Sequence, residues 1–193
     1  MSDNGVESRH RIWPKCNATQ TISVYGLFVM INLLVLCTGN SARSILGEVL
    51  FNTLGEGRVR AFSAGSKPAG AINPGAVRLL RKQKVDISSL RSKSWDEFAT
   101  PDAPKINIVI TVCGSAAGET CPVFPGKSVR AHWGLADPAA VAGDTEKIDA
   151  AFACTWDQLK ARVDAFLALP FETMSEAEFK SELDRIGEME GAA

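Results

Sequence analysis

The sequence has little net charge, few cysteines and few histidines, and each shortage argues against particular classes of partner or site. Among 193 residues, 21 Lys and Arg face 22 Asp and Glu, which leaves a net charge of −1. A balance this close to zero gives no general electrostatic case for nucleic acid or an anionic membrane as the main partner. We therefore expect neither partner, and any phosphate-like ligand has to be bound by a local site.

The cysteine count excludes a small disulfide-stapled scaffold. The chain has 5 cysteines, which is few for a secreted framework of this length, and the odd number indicates at least one thiol. The hydrophobic fraction of 46% is enough to bury the core of one domain. We expect a single globular domain in the cytoplasm, where thiols stay reduced.

An apolar run at residues 22–37 follows several basic residues and resembles a secretory signal or a membrane anchor. Two features argue against that interpretation. Asn32 interrupts the run, and Leu36 is too large for the small residue that a cleavage site needs. No second hydrophobic span follows, so we expect no membrane segment.

Met30 is a natural start for the domain. We interpret residues 1–29 as a disordered extension or a mis-assigned start, residues 30–170 as the domain, and residues 171–193 as a carboxyl-terminal helix or tail. From Met30 onward, strand-like and helix-like segments alternate, as in a parallel sheet covered by helices.

The apolar patterns place the individual elements. The predicted strands are 31–36, 58–63, 106–112 and 128–132. The predicted helices are 42–54, 73–84, a long one from 144 or 145 to 169, and a final one that begins with a capping box at Ser175. The fold class is therefore α/β, a single-domain doubly wound four-stranded parallel sheet with helices on both faces.

The loop after the first predicted strand predicts an anion site. A loop that turns directly into a helix points backbone N–H groups inward, and these groups and the helix dipole can hold a tetrahedral oxyanion. Gly39 would permit the tight turn. The predicted oxyanion-binding residues are Thr38, Gly39, Asn40, Ser41, Ala42 and Arg43.

Cys37, at the start of this loop, is the candidate nucleophile. Arg43 can grip two oxyanion oxygens at once, and its charge with the loop dipoles favours a thiolate at Cys37. Ser44 can donate a hydrogen bond to that thiolate. The alternative is a buried thiol at a strand end, but C-x5-R-[ST] at this position is rare by chance. The pattern therefore favours an oxyanion-binding nucleophile site.

The run L-C-T-G-N-S-A-R-S, followed by Ser63-Ala64-Gly65 after the second strand, resembles the low-molecular-weight protein tyrosine phosphatase superfamily. Its T-G-N-S-A portion is similar to the arsenate reductases of that fold. The resemblance covers about residues 30–169. Some members bind potassium near the loop, and Asn40, Glu48 and Ser63 stand at matching places.

Asp137 follows the last predicted strand and should lie at the carboxyl edge of the sheet, near Cys37. A carboxyl group there can protonate a leaving oxygen, and the resemblance implies that the aspartate of this Asp-Pro is the general acid. Tyrosine phosphatases of this fold typically carry aromatic residues next, whereas Ala139 and Ala140 follow here. We expect a small inorganic substrate, with Trp133 as a partial substitute for the missing rings.

Cys113 and Cys121 flank a Gly, Ala and Ser-rich segment after the third predicted strand. A phosphatase needs one cysteine, whereas a reductase needs two electrons, which two further thiols can supply. A structural zinc pair is disfavoured because the chain has only 2 histidines, and inert thiols remain an alternative. The resemblance implies that Cys113 and Cys121 are the resolving cysteines of a disulfide relay.

The resemblance therefore implies an arsenate reductase that serves arsenic detoxification. It would use no bound organic cofactor, and thioredoxin or glutaredoxin with glutathione would supply the electrons. Alternatives are a phosphatase that hydrolyses phosphate monoesters and a thiol module that senses arsenic. Cys16 and Cys154 match nothing, and we expect Cys154 to lie in the core.

Overall fold

The computed structural model describes residues 30–114, 124–125 and 127–190. The predictions for residues 1–29, for Cys16 and for Cys121 therefore lie outside the described residues. The strands are β1 (Ile31–Cys37), β2 (Val59–Gly65), β3 (Ile108–Thr111) and β4 (Val129–His132). The helices are α1 (Arg43–Leu54), α2 (Pro74–Lys82), α3 (Thr145–Leu167) and α4 (Glu176–Gly187).

The four strands form one parallel sheet, as predicted for the fold class, and their order in it is β2-β1-β3-β4. In its register, Leu33 of β1 lies between Ala61 of β2 and Ile108 of β3. After β1 the chain forms β2 on one side of β1, and it then crosses over to form β3 on the other side of β1. Such a switch point opens a crevice at the carboxyl ends of the strands, directly beyond Cys37.

Capping residues explain where three of the helices begin. Asn73 accepts a hydrogen bond from Gly75 at 2.8 Å, with Pro74 as the first helical residue of α2. Asp144 caps α3 through the N–H of Lys147 at 2.9 Å. The predicted capping box at Ser175 is present at the start of α4.

Both α2 and α3 end two residues earlier than predicted. After α2 the backbone reverses at Lys84, which takes a left-handed conformation with φ of 59°. A helix cannot continue through that conformation. After α3, Ala168 forms the carboxyl cap, and Pro170 lies two residues beyond it.

Alternating side chains of β1 point to opposite faces of the sheet and pack into two separate apolar cores. Leu33 and Val35 face the larger core, in which α1, α2, α3 and α4 all bury side chains. Leu34 and Leu36 face a smaller core, which Phe98 of a short 3-10 helix (Trp95–Phe98) and Phe124 cover in the described residues. The sheet is therefore covered on both faces.

The carboxyl-terminal segment belongs to the domain, which corrects the boundary at residue 170. Phe179, Leu183 and Ile186 of α4 are buried in the larger core. Gly187 packs so closely on the backbone of β4 that an added Cβ would lie 2.3 Å from the His132 carbonyl oxygen. The tail is thus an integral layer of the fold.

A second correction concerns Cys154, which was expected in the core. It lies in α3 with an exposed side chain, because the buried stripe of that helix passes through Phe152, Thr155 and Trp156 instead. None of the helices in the described part of the chain is long and apolar enough to cross a membrane.

Candidate active site

Cys37 lies where β1 ends, and its side chain is 5% exposed. Its Sγ accepts a hydrogen bond from the backbone N–H of Asn40 at 3.1 Å and lies 3.0 Å from the Ser44 hydroxyl oxygen. The structure therefore brings Ser44 to the sulfur as predicted, and two donors can hold that sulfur in one position.

The loop after Cys37 turns its carbonyl groups away from the site. Those carbonyls accept backbone hydrogen bonds of 2.8 or 2.9 Å from the segment after β2: Lys67 to Thr38, Ala69 to Gly39 and Asn73 to Ser41. In a planar trans peptide the N–H points opposite to the C=O, so the N–H groups of residues 39, 40 and 42 turn inward, that of residue 40 onto Cys37 Sγ. No described side chain caps the amino terminus of α1, which leaves its first N–H groups for an anion.

The tight turn in this loop is made by Asn40, which corrects the role assigned to Gly39. Asn40 has a φ of 42°, in the left-handed region that asparagine tolerates, whereas Gly39 is not among the residues with positive φ. The glycine that the loop does require is Gly65 at the end of β2. A Cβ there would lie 2.4 Å from the Thr38 carbonyl oxygen.

The Asn40 side chain supports the loop from behind and is fully buried. Its Nδ2 donates to the hydroxyl oxygens of Ser44 and Ser63, each at 2.9 Å. Its Oδ1 accepts from the Lys93 backbone N–H at 2.8 Å. Asn40 thus acts on the anion site through backbone and through Ser44, and its side chain points away from the cavity.

Arg43 and Asp137, which are 94 residues apart in sequence, meet at the rim of the site. Arg43 Nη2 lies 2.8 Å from Asp137 Oδ2, and Arg43 Nη1 donates to the Leu135 carbonyl oxygen at 2.7 Å. The other carboxylate oxygen of Asp137 accepts from the Ala139 N–H at 3.0 Å. The predicted anion grip and the predicted general acid are therefore adjacent.

A cavity of about 410 Å³ opens between these groups. The residues of the Cys37 loop that line it are Cys37, Thr38, Gly39, Ser41, Ala42 and Arg43. Cys113 and Asp137 line the same cavity. Ser44 lies behind Cys37 and is fully buried.

Cys113 lies two residues after the end of β3 and is 4% exposed. Its Sγ lies 3.6 Å from the hydroxyl oxygen of Thr38, the neighbour of Cys37. Cys37 and Cys113 are both thiols, and no disulfide joins them. One of the two predicted resolving cysteines thus lies in the cavity of the nucleophile, while Cys121 is outside the described residues.

Trp133 does not supply a ring to the substrate cavity, which corrects that expectation. Its side chain is fully buried, its ring stacks on Phe51 with centroids 5.9 Å apart, and its Nε1–H donates to the Leu183 carbonyl at 2.9 Å. Ala139 lines the cavity near Asp137 with a single methyl group.

Asn40, Glu48 and Ser63, the residues at the places matching a potassium site, lie close together. The positive charge beside them is the ammonium of Lys93. Lys93 Nζ lies 3.4 Å from Glu48 Oε2 and 3.4 Å from the Arg91 carbonyl oxygen. The Ser63 hydroxyl donates to the same carboxylate oxygen. Lys93 and Glu48 are 8% and 13% exposed, so this charge pair is nearly complete without an ion. These contacts do not fit a potassium ion.

Lys93 and the Leu135 carbonyl are site groups that sequence reasoning missed. Lys93 stands in a polar S-K-S run that resembles a solvated loop, and a main-chain carbonyl leaves no trace in a sequence. Only the folded chain brings them to Glu48 and Arg43.

Comparison with known proteins supports the resemblance drawn from the loop. The chain is 35% identical over 131 residues to the arsenate reductase of Halalkalibacterium halodurans, a match that covers 68% of this chain and 91% of that protein. It is 37% identical to the arsenate reductase of Bacillus licheniformis and 35% to that of Bacillus subtilis, with the same coverage.

Solved structures agree with the fold. One is described as an arsenate reductase in the phosphate binding state, with 27% identity, a TM-score of 0.55 and coverage of 72% of this chain and 98% of its own. Another is an arsenate reductase from Archaeoglobus fulgidus, with 25% identity, a TM-score of 0.52 and coverage of 68% and 98%. The predicted fold class is confirmed.

The profile of the family described as low molecular weight phosphotyrosine protein phosphatase matches residues 32–184. The match reaches into α4, so the limit of the resemblance near residue 169 was placed too early. With this profile, the relatives and the Cys37 loop in agreement, the chain belongs to the low molecular weight phosphotyrosine protein phosphatase family.

Proposed function

We propose that the protein is an arsenate reductase, which converts arsenate to arsenite through Cys37, Cys113 and Cys121. The observation that carries the proposal is the second thiol: Cys113 lines the same cavity as Cys37. Hydrolysis of a phosphate ester needs one nucleophilic thiol, whereas reduction of arsenate needs two electrons that a pair of thiols can give. The relatives named arsenate reductase support the same substrate.

The first step forms a bond between Cys37 and arsenic. The inward N–H groups of the loop and the Arg43 guanidinium hold the arsenate oxygens. The Cys37 thiolate attacks arsenic, and Asp137 gives its proton to the departing oxygen, which leaves as water. The product is an arseno-cysteine in which arsenic is still pentavalent.

The second step transfers the electrons. The Cys113 thiolate attacks Cys37 Sγ, so a sulfur–sulfur bond forms and the sulfur–arsenic bond breaks. The electron pair of the broken bond stays on arsenic, which leaves as trivalent arsenite. Two thiols are thereby oxidised to a Cys37–Cys113 disulfide, and the electron balance closes.

The third step regenerates the nucleophile. Cys121 attacks Cys113, Cys37 leaves as a thiolate, and the disulfide now joins Cys113 to Cys121. An external dithiol such as thioredoxin, or glutaredoxin with glutathione, reduces this bond. A cytoplasmic location suits the cycle, since it keeps these thiols reduced between turnovers.

A test couples arsenate reduction to NADPH oxidation through thioredoxin and thioredoxin reductase. Cys37→Ser, Cys113→Ser and Cys121→Ser should each abolish multiple turnover. Cys154→Ser is the matched control, because Cys154 is exposed on α3 and outside the cavity. Full multiple turnover by Cys113→Ser would refute the relay.

Phosphatase activity is the competing function, because Cys37, Arg43 and Asp137 also suit a phosphate monoester. It is separated by its thiol dependence. Turnover of p-nitrophenyl phosphate should need Cys37 and Asp137 but should survive replacement of Cys113 and Cys121. A protein that hydrolyses this ester and never reduces arsenate would be a phosphatase.

A further inference from the structure

A fully buried arginine lies behind the Asp137 loop. Arg162 lies in the carboxyl-terminal half of α3 with 0% exposure, and no described carboxylate forms an ion pair with it. Burial without a counter-charge lowers the pKa of the Arg162 guanidinium. A group so expensive to keep in a core calls for a function that a hydrocarbon side chain could not supply.

The guanidinium of Arg162 joins two distant segments of backbone. Its Nη1 donates to the Gly134 carbonyl oxygen at 3.3 Å, and its Nη2 donates to the Met189 carbonyl oxygen at 3.1 Å. Gly134 lies three residues before Asp137, and Met189 lies just after α4. Arg162 therefore ties the start of the Asp137 loop to the backbone just after α4.

The two neighbours of Gly134 in the chain, Trp133 and Leu135, are both hydrogen-bonded to the end of β3 and the residue after it. Trp133 N–H donates to the Thr111 carbonyl at 2.8 Å, and Leu135 N–H donates to the Val112 carbonyl at 3.3 Å. The next carbonyl, that of Leu135, accepts from Arg43 at 2.7 Å. Two arginines thus hold successive carbonyls of one short segment, Arg43 from the anion site and Arg162 from the core.

The last helix presses on the same segment. The Trp133 indole donates to the Leu183 carbonyl in α4, and Gly187 of α4 packs against His132 without room for a Cβ. A shift of α4 would therefore move residues 132–134, and with them the path of the chain toward Asp137.

We propose that Arg162 is a positioning residue for Asp137, and that with α4 it fixes the height of the Asp137 carboxyl over the Cys37 loop. The inference rests on the proposed role of Asp137 as the proton donor. General acid catalysis depends steeply on geometry, so a small displacement of the donor lowers turnover more than it lowers anion binding.

The main variant is Arg162→Lys, which keeps the charge but cannot donate to both carbonyls in the same geometry. We expect kcat for arsenate reduction to fall about tenfold, with KM for arsenate within about twofold of wild type. The matched control is Arg58→Lys. Arg58 also holds carbonyls, those of Leu167 and Leu169 at the carboxyl end of α3, but none of its guanidinium hydrogen bonds in the described residues reaches residues 132–137.

A double-mutant cycle separates positioning from general loss of stability. In an Asp137→Asn background, where no acid remains to be placed, Arg162→Lys should change kcat by less than about twofold. The same tenfold loss in both backgrounds would overturn the inference. If Arg162→Lys does not fold, Trp133→Phe loosens the same segment by removing the bond to Leu183 together with part of the ring that stacks on Phe51, and the same cycle applies.

A second readout needs no enzymatic activity. Amide hydrogen exchange in residues 133–140 should be faster in Arg162→Lys than in wild type, and Arg58→Lys should leave it unchanged. Unaltered exchange in that segment of Arg162→Lys would overturn the inference. If wild type does not reduce arsenate, the proposed function fails, and the cycle is run on p-nitrophenyl phosphate, which needs the same acid.

Discussion

The guanidinium of Arg43 and the carboxylate of Asp137 lie 2.8 Å apart across the mouth of the cavity. The pair forms because α1 begins at Arg43, while the chain after β4 brings Asp137 to the same edge of the sheet. An arsenate bound by the Cys37 loop would offer Arg43 a doubly charged partner in place of this carboxylate. Under the proposed mechanism, substrate binding would therefore release Asp137 to act as the general acid.

This geometry predicts the effect of Arg43→Lys. The lysine keeps the positive charge but has a single ammonium group, so it cannot grip two oxyanion oxygens and the Leu135 carbonyl together. We expect kcat/KM for arsenate to fall at least about 100-fold, measured by steady-state reduction with thioredoxin. Arg78→Lys is the control, because Arg78 pairs with Asp149 on the surface. Activity within about threefold of wild type in Arg43→Lys would contradict a bidentate grip.

Ser44→Ala tests the hydrogen bond to the nucleophile. The Ser44 hydroxyl, 3.0 Å from Cys37 Sγ, can donate to the anionic sulfur, which is the reactive form. A hydrogen bond to a charged group contributes about 1.5 kcal/mol, or roughly tenfold in rate. Alkylation of Cys37 by iodoacetamide at pH 7, followed by mass spectrometry of its peptide, should slow by about that factor.

The control for this experiment is Ser181→Ala, in which an exposed serine of α4 is changed. An unchanged alkylation rate in Ser44→Ala would mean that the hydroxyl serves only to accept from Asn40 Nδ2.

The Cys37–Arg43 loop could be predicted because its residues are consecutive in the sequence. A buried strand, a cysteine and an arginine six residues later specify a loop that turns into a helix, and the structure places Cys37 and Arg43 accordingly. Asp137 and Cys113 could be placed at the same edge because parallel strands end together. The approximate strand positions follow from the apolar patterns, whereas the order of the strands in the sheet comes only from the folded chain.

The distant contacts could not be predicted. The assignment of the turn to Gly39 failed because Asn40 adopts the left-handed conformation, supported by buried partners from β2 and from residue 93. Trp133 and Cys154 were misplaced because a single sequence does not show which side of a helix or strand end faces the core. Lys93 and Arg162 gave no local pattern, since their partners lie 45 and 28 residues away.

Acid should destabilise the protein partly through Glu178. Hydrogen bonds from the side chain and then the backbone of Ser175 hold the pKa of Glu178 below its ordinary value. A depressed carboxyl pKa contributes stability that is present above the ordinary value and is lost as the pH falls through the folded one. Glu178→Gln should therefore lose less unfolding free energy than wild type between pH 6 and about pH 3, measured by urea denaturation.

The control for Glu178 is Glu146→Gln, near the start of α3, whose side chain is exposed. Parallel pH curves for wild type and Glu178→Gln would show that the capping box does not titrate with folding.

The buried pair of Lys93 and Glu48 predicts that the protein needs no potassium. The ammonium of Lys93 already neutralises the carboxylate that would attract the ion, and Ser63 donates to the same oxygen. We expect equal arsenate reduction and equal thermal stability in potassium, sodium and choline buffers of the same ionic strength. A rise in either quantity that is specific to potassium would show that the ion binds despite Lys93.

Lys93→Met tests whether Lys93 takes the place of an ion, because it removes the ammonium while it keeps most of the side-chain volume. The Glu48 carboxylate would then be a buried charge without a cation, and such a loss lowers the unfolding free energy by about 3 kcal/mol. Urea denaturation in choline buffer measures that loss. Potassium should restore part of the lost unfolding free energy in the variant and have no effect on wild type. Only in the variant is the space beside Glu48 and Ser63 free of the lysine ammonium. Equal stability of Lys93→Met and wild type would mean that Glu48 is held by its bond from Ser63 alone.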